Sequence, residues 1–255
     1  KASKGSADAL SSGVGRAGGD RVGTRWRRAA DARLPLASGA RCYPAAVDLD
    51  LSPEHRLLRE TIRDFMVSEV GPVVDEHEKT RRFPRPIVDR LGAMGWLGIP
   101  IPEDEGGAGL DTLAYAIAIE EIGRVWGSLG LIVAAHTSLG CGPLHMVGTP
   151  EQKTRFLVPL ASGQVLGAYG LTESGAGSDA GGTRTTARLA DGRDGGTWRI
   201  DGGKRFITNA GQAGTYIVTA RTGTTEKDEA EIPAFIVPAD KPGFSVPPVE
   251  DKMGL

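Results

Sequence analysis

In the stretch YGLTESGAGSDAGGTRTT, residues 169 to 186, the hydroxyls of Thr172, Ser174 and Ser178 stand beside the carboxylates of Glu173 and Asp179. From Gly175 to Gly182 every other position is Gly or Ala. Side chains this small let a ligand come down onto the backbone, and exposed N–H groups beside hydroxyls suit phosphate oxygens. The chemistry suggested is the binding of a phosphate-bearing cofactor. Gly175 to Ala180, GAGSDA, also fits the dinucleotide pattern GxGxxG/A, but that pattern needs a helix to open at the glycines. Here the glycines lead into TRTTARLA, a β-type run rich in β-branched residues. Gly203, Lys204 and Arg205 lack the hydroxyl and glycine spacing of a Walker loop. A plain glycine-rich hairpin loop therefore stands as the alternative to a cofactor cradle.

Other reactive residue types make weaker patterns. His136, Cys141 and His145 could ligate a metal, but they lie in an apolar helical stretch broken by Gly and Pro, so structural roles are expected and no metal is proposed. The acid pair Glu120 and Glu121 follows AIAI on a helix and reads as a solvated edge. Glu173 and Asp179 could serve acid/base chemistry, or could accept backbone N–H bonds within their loop. No GxSxG elbow occurs, which leaves a hydrolase triad without support.

These residues must be positioned by a body of ordinary globular type. The chain has 255 residues, of which 40% are apolar and 24% charged, enough for one large or two ordinary domains with a sizeable core. A formal charge of -2 gives no basic field for nucleic acid, and no run of about 18 apolar residues marks a membrane span. The two cysteines, Cys42 and Cys141, are far apart and suggest neither a disulfide framework nor a zinc site. A reducing setting, the cytoplasm, is expected. Residues 1 to 46 carry a net charge of +6 and leave -8 on the remainder. Rich in Gly, Ala, Ser and Arg and without apolar periodicity, they read as a disordered basic tail. The same tail could be a transit peptide, which would place the protein in the mitochondrial matrix instead.

From Ser52 the chain turns helical. SPEHRLLRETIRDFMVSEV has Pro53 at the first helical position and Leu58, Ile62, Phe65 and Met66 at helical spacing. Asp111 can cap the helix TLAYAIAIEEIGRVW after the PIPEDEGGAGLD loop, and residues 128 to 147 are apolar nearly all round, a buried helix with a break expected near Gly140 to Pro143. Thr149, Pro150 and Gln152 make a capping box. After Gly163, TRTTARLA, TWRIDGGKRFITNA, GTYIVTART, EIPAFIVPA and GFSVPPVE are β-prone runs divided by turns. The expected fold class is α+β: an all-helical domain over 47–162, then an antiparallel, barrel-like β domain over 163–255, truncated at KMGL.

GGKRFITNAG, residues 202 to 211, together with YGLTESGAGSD resembles the two flavin-contacting segments of the acyl-CoA dehydrogenase family. The family's commonest forms are TEPGAGSD and WITN; here Ser174 stands in place of the proline and Phe206 in place of the tryptophan. The resemblance runs over residues 48 to 255, through the PEDEGGAGLD loop, the PEQK helix start and EDKMGL, and covers the family's helical N-terminal domain and most of its middle domain. It implies FAD as cofactor, contacted by Tyr169, Gly170, Leu171, Thr172, Gly177, Ser178, Phe206, Ile207 and Thr208, with Ser178 also approaching the acyl-CoA substrate. Thr172 and Thr208 would donate to the N5–O4 edge of the flavin. The implied reaction is α,β-dehydrogenation of an acyl-CoA thioester to the trans-2-enoyl-CoA, in fatty acid metabolism, with electron-transfer flavoprotein as acceptor and a homotetramer or homodimer as the assembly. The family's catalytic glutamate belongs to a C-terminal helical domain, so no catalytic residue is expected among these residues and this segment alone is expected to be inactive. A chain that naturally ended near Leu255 would instead fit a non-catalytic acyl-CoA or partner-binding scaffold.

Overall fold

Three helical stretches among the described residues each contain a widened turn placed by a proline. The computed structural model describes residues 5–9, 50–190, 197–224 and 230–248. Helix α1 (Pro53–Phe65) continues through a π-helical turn, Met66–Val70, and a 3₁₀ turn, Gly71–Val73, into α2 (Val74–Thr80). After α3 (Arg85–Ala93) and α4 (Thr112–Val125), α5 (Gly127–Ala134) passes through a π segment, Ala135–Cys141, into α6 (Gly142–Val147). The short α7 (Pro150–Gln152) does the same through Lys153–Leu157 into α8 (Val158–Ala161). Pro72, Pro143 and Pro159 each follow a π segment by two residues. A proline ring crowds the carbonyl four residues back and offers no N–H. The amides of Gly71, Gly142 and Val158 therefore reach five residues back, to Met66, Thr137 and Lys153. The break expected near Gly140 to Pro143 is thus a correction: the helix widens there and continues.

The local signals for helix starts hold. Asp111 accepts the Ala114 N–H at 2.7 Å. Thr149 and Gln152 form both bonds of the capping box. On α1 and its extension Ile62 and Met66 are buried, while Leu58 and Phe65 pack partly buried against them. Glu121 departs from the expectation of a solvated edge. It is buried and held by the guanidinium of Arg63 through two hydrogen bonds, whereas Glu120 faces out.

The strands are β1 (Gly5–Ala9), β2 (Gly167–Gly170), β3 (Thr186–Leu189), β4 (Trp198–Asp201), β5 (Thr215–Thr219), β6 (Gly223–Thr224), β7 (Ala230–Glu231) and β8 (Ala234–Pro238). Six make one sheet in the order β2-β5-β8-β1-β4-β3, and β6 and β7 pair separately. The sheet is mixed rather than antiparallel, because β2 runs parallel to β5, with Gly167 opposite Thr215 and Gly170 opposite Val218. The remaining named pairs are antiparallel. A bridge between Thr186 and Arg221 brings β3 beside the chain just past β5, but it is isolated and the sheet is not closed as a barrel among the described residues. GKRFITNA, expected in a β-prone run, turns instead: Phe206 and Asn209 have φ of 56° and 67°. GFSVPPVE forms no strand among its described residues.

The expected disordered tail contains one described element, Gly5–Ala9, which pairs with β4 on one side and β8 on the other. The rest of residues 1 to 46 lies outside the described residues. Chain contacts group Lys1–Ser12 with Pro53–Leu255 as one unit and Gly13–Ser52 as another, of which only residues 50–52 are described. Within the first unit helices and sheet share a core: Ile62, Leu91, Ile122 and Leu129 belong to the same apolar cluster as Leu166, Tyr216 and Phe235. The stretch Gly127–Val147 is, by length and a mean hydropathy of 1.2, apolar enough to cross a membrane. It is partly buried here, and its His136 and Thr137 bond to the backbone of Leu160 and Leu97 in the core.

Candidate functional site

Strand geometry sorts the 169–172 segment onto two faces. Tyr169 and Leu171 point with Thr172 into a cleft of about 220 Å³, whose other walls are Phe206, Ile207 and Thr208 from the turn and Ala135 and Leu139 from the π segment. Six of the nine positions named from the sequence thereby meet, although 34 or more residues separate the two groups along the chain. Gly170 goes to the other face of β2, where it lines a second cavity of about 210 Å³ with Lys204, Val218 and Phe244. A Cβ on Gly170 would lie 3.2 Å from the Lys204 stem, which is the close approach that glycine serves there. Gly177 and Ser178 are exposed beyond the cleft, past a tight turn in which Glu173 and Ala176 exchange backbone bonds. No α-helix opens at these glycines; a 3₁₀ turn, Ala180–Gly182, and then β3 follow. The dinucleotide pattern is therefore in the wrong context here.

The cleft's surface is apolar with a few unspent donors. Phe206 is a bulky residue in the left-handed region, a conformation costing on the order of 1–3 kcal/mol, and the residue is 61% exposed. The Thr172 N–H and the hydroxyls of Thr172 and Thr208 have no hydrogen-bond partner among the described residues. Strain and unpaired donors at one place are the marks of a binding surface.

Behind the cleft the two segments are held by Lys204, Glu173 and Asn209, none of them among the nine positions named for the cofactor. Lys204 Nζ donates to Leu171 O at 3.0 Å, Glu173 Oε1 at 2.7 Å and Thr219 Oγ1 at 3.2 Å, so all three ammonium protons are engaged. Glu173 also accepts the N–H groups of Arg184 and Thr185. Burial alone would raise the Glu173 carboxyl, but Lys204, Thr185 and Arg184 together outweigh it and hold it at about 2. It is a fixed anion and no proton acceptor, the loop role over the acid/base one. Asn209 donates its amide to Ile132 O and Gly167 O, both at 3.1 Å, and ties the turn to the helix and to β2. Lys204 and Asn209 lie in the GGKRFITNAG segment that carries the family resemblance, but nothing in the single sequence names their partners.

His136, Cys141 and His145 do not converge on an ion. His136 accepts the Gly167 N–H on Nδ1 at 2.9 Å, so its proton sits on Nε2 and is donated to Leu160 O at 3.1 Å. Burial pulls its pKa down to about 4 and pushes the adjacent Cys141 thiol up to about 12. His145 pairs with Glu105, which also holds Lys153. Among the described residues no group of three or more His, Cys, Asp or Glu is placed to hold a metal.

Helix and strand touch at two glycines. A Cβ on Gly140 would come 2.9 Å from the Gly167 Cα, backbone against backbone. Gly140→Ala should therefore push β2 off the π segment and cost about 1–3 kcal/mol. Urea denaturation is the measurement; an unchanged midpoint would show that the contact is not close-packed.

Comparison with known proteins places the chain. Residues 52–164 match the N-terminal domain, and residues 168–255 the middle domain, of the acyl-CoA dehydrogenases. The chain belongs to the acyl-CoA dehydrogenase family. It is 46% identical over 209 residues to a probable acyl-CoA dehydrogenase of Bacillus subtilis, covering 82% of this chain and 54% of that protein. To the short-chain specific acyl-CoA dehydrogenase of Clostridium acetobutylicum it is 44% identical, with the same coverage. To the mitochondrial short-chain specific enzyme of Bos taurus it is 40% identical over 84% of this chain and 51% of that one. Similar solved structures include a chain from work on the electron transferring flavoprotein of Acidaminococcus fermentans, with a TM-score of 0.75 at 38% identity, covering 81% of this chain and 53% of that one. An acyl-CoA dehydrogenase of Bacillus anthracis complexed with FAD gives a TM-score of 0.73 at 39% identity, covering 80% and 35%. The chain spans about half the length of the curated relatives it matches.

Proposed function

We propose that this chain forms one wall of the FAD and acyl-CoA site of an acyl-CoA dehydrogenase. The carrying observation is the cleft in which Tyr169, Leu171 and Thr172 face Phe206, Ile207 and Thr208. Its surface suits the flavin: a flat apolar ring can lie on Phe206, Leu139 and Ala135, and its acceptor edge can take the unpartnered N–H of Thr172 and the hydroxyls of Thr172 and Thr208. Bound FAD supplies the hydride acceptor. Gly175 and Gly177 have open space where a Cβ would stand, which leaves room for phosphates, and Ser178 is exposed beside them for the pyrophosphate and the thioester substrate.

The similarity to short-chain specific enzymes makes a short acyl chain the first substrate to try, and electron-transfer flavoprotein the electron acceptor to pair with it. The proposed assembly is a homotetramer or homodimer. Relatives from bacteria and from mitochondria leave cytoplasm and matrix both as proposals for location. The proton-abstracting base is proposed to come from residues beyond this chain.

In the whole protein, FAD should copurify stoichiometrically, and Thr208→Val should keep the flavin while slowing its reduction by a short acyl-CoA by about tenfold or more, since the lost donor matters most as charge arrives. Absorbance after gel filtration and stopped-flow reduction are the measurements. A colourless protein defeats the proposal, and an unchanged rate removes Thr208 from the flavin edge.

A further inference from the structure

The Leu171–Thr172 peptide lies between a buried cation and the cleft. Its carbonyl accepts from Lys204 Nζ at 3.0 Å on the far side of β2, where the lysine lines the second cavity. The bond is trans, as every described peptide is, so the N–H of Thr172 points the opposite way from the carbonyl, toward the cleft that Leu171 and Thr172 line. That N–H has no partner among the described residues. A cation on the oxygen of an amide draws electron density through the amide and makes its N–H a stronger donor, and such polarisation grows where water is scarce. The Lys204 side chain is 8% exposed, so water screens it little. Its geometry is also rigid, because Thr219 and Glu173 take its other two protons and Arg205 N–H holds the next carbonyl, Thr172 O, at 2.7 Å.

We propose that Lys204 is a positioning residue that raises the electron affinity of the acceptor in the cleft, by polarising the Leu171–Thr172 peptide so that the Thr172 N–H binds the electron-rich form more tightly. This rests on the reading of the cleft as the flavin site. A neutral donor in place of Lys204 would satisfy the Leu171 carbonyl equally well; the charge is what strengthens the amide behind it. Glu173 Oε1, 2.7 Å from the same Nζ, is the counter-ion of the buried ammonium.

The test compares whole protein carrying FAD as wild type, Lys204→Met and the double variant Lys204→Met/Glu173→Gln. The double variant removes both charges together, so no uncompensated buried charge is left, and its amide oxygen still accepts from one of the Arg184 and Thr185 N–H groups. Flavin midpoint potentials by dye equilibration are the readout, with flavin stoichiometry and circular dichroism alongside. The double variant should bind flavin fully yet prefer the reduced over the oxidised form about tenfold less, which is about 30 mV for a two-electron couple. Reduction by substrate should lose kcat with KM little changed. A double variant at the wild-type potential would overturn the proposal, because the Lys204 charge would then add nothing to the donor strength of the Thr172 N–H. A wild-type protein without flavin would overturn the underlying reading instead, and the inference with it.

Discussion

Lys204→Met is expected to lower the stability of the protein by about 3–5 kcal/mol, the usual cost of leaving one partner of a buried ion pair alone. Glu173 is 8% exposed and its two oxygens are spent on Lys204 and on the N–H groups of Arg184 and Thr185, so it cannot turn to water without dismantling the loop. Guanidinium melts compared with Lys204→Met/Glu173→Gln separate charge from packing: the double variant should recover most of the loss. A single variant within 1 kcal/mol of wild type would mean that the pair is solvated after all. The same contacts govern acid stability. The folded Glu173 carboxyl sits at about 2, below its ordinary 4.5, so the unfolded chain binds the proton more readily. The stabilisation, on the order of 3 kcal/mol, is fully present above about pH 5 and is lost as pH falls from 4.5 toward 2.

His136→Ala should cost as much, about 3–5 kcal/mol. It opens a cavity in the core, strips the buried Gly167 N–H of its named partner and takes one of two donors from the Leu160 carbonyl, which keeps the Gly163 N–H. Because Gly167 begins β2, the loss should also loosen the cleft and weaken flavin retention. A pH profile distinguishes this role from mere filling. The folded imidazole titrates at about 4 and the unfolded one at 6.5. Stability is therefore whole above pH 6.5 and falls with acid by about 1.4 kcal/mol per unit down to about pH 4, as the unfolded chain gains a proton that the core refuses. His136→Gln should flatten that part of the profile. A slope that persists in the variant would assign it to another group.

What the sequence determined by itself was whatever is settled within a few residues. Asp111 and the pair Thr149 and Gln152 cap helices whose amides lie three positions away, and the spacing of Ile62 and Met66 marks the buried face without reference to its partner. The two segments of the cleft were legible by type, and the family resemblance already implied that both meet one flavin; the packing that brings them together was not legible. Strand alternation could also have put Gly170 on the face opposite Tyr169 and Leu171. The sequence suggested a break near Gly140 to Pro143; that the helix widens there and continues, as it does before Pro72 and Pro159, was decided by the packing on either side. Tertiary structure alone decided the rest. Glu121 and Glu120 are neighbours in sequence, yet one meets Arg63 across a helix pair and is buried while the other meets water. Lys204, His136 and Asn209 find partners 15 to 77 residues away. A charged or polar side chain is stable in the core only when such distant groups arrive to satisfy it, and no local pattern carries that information.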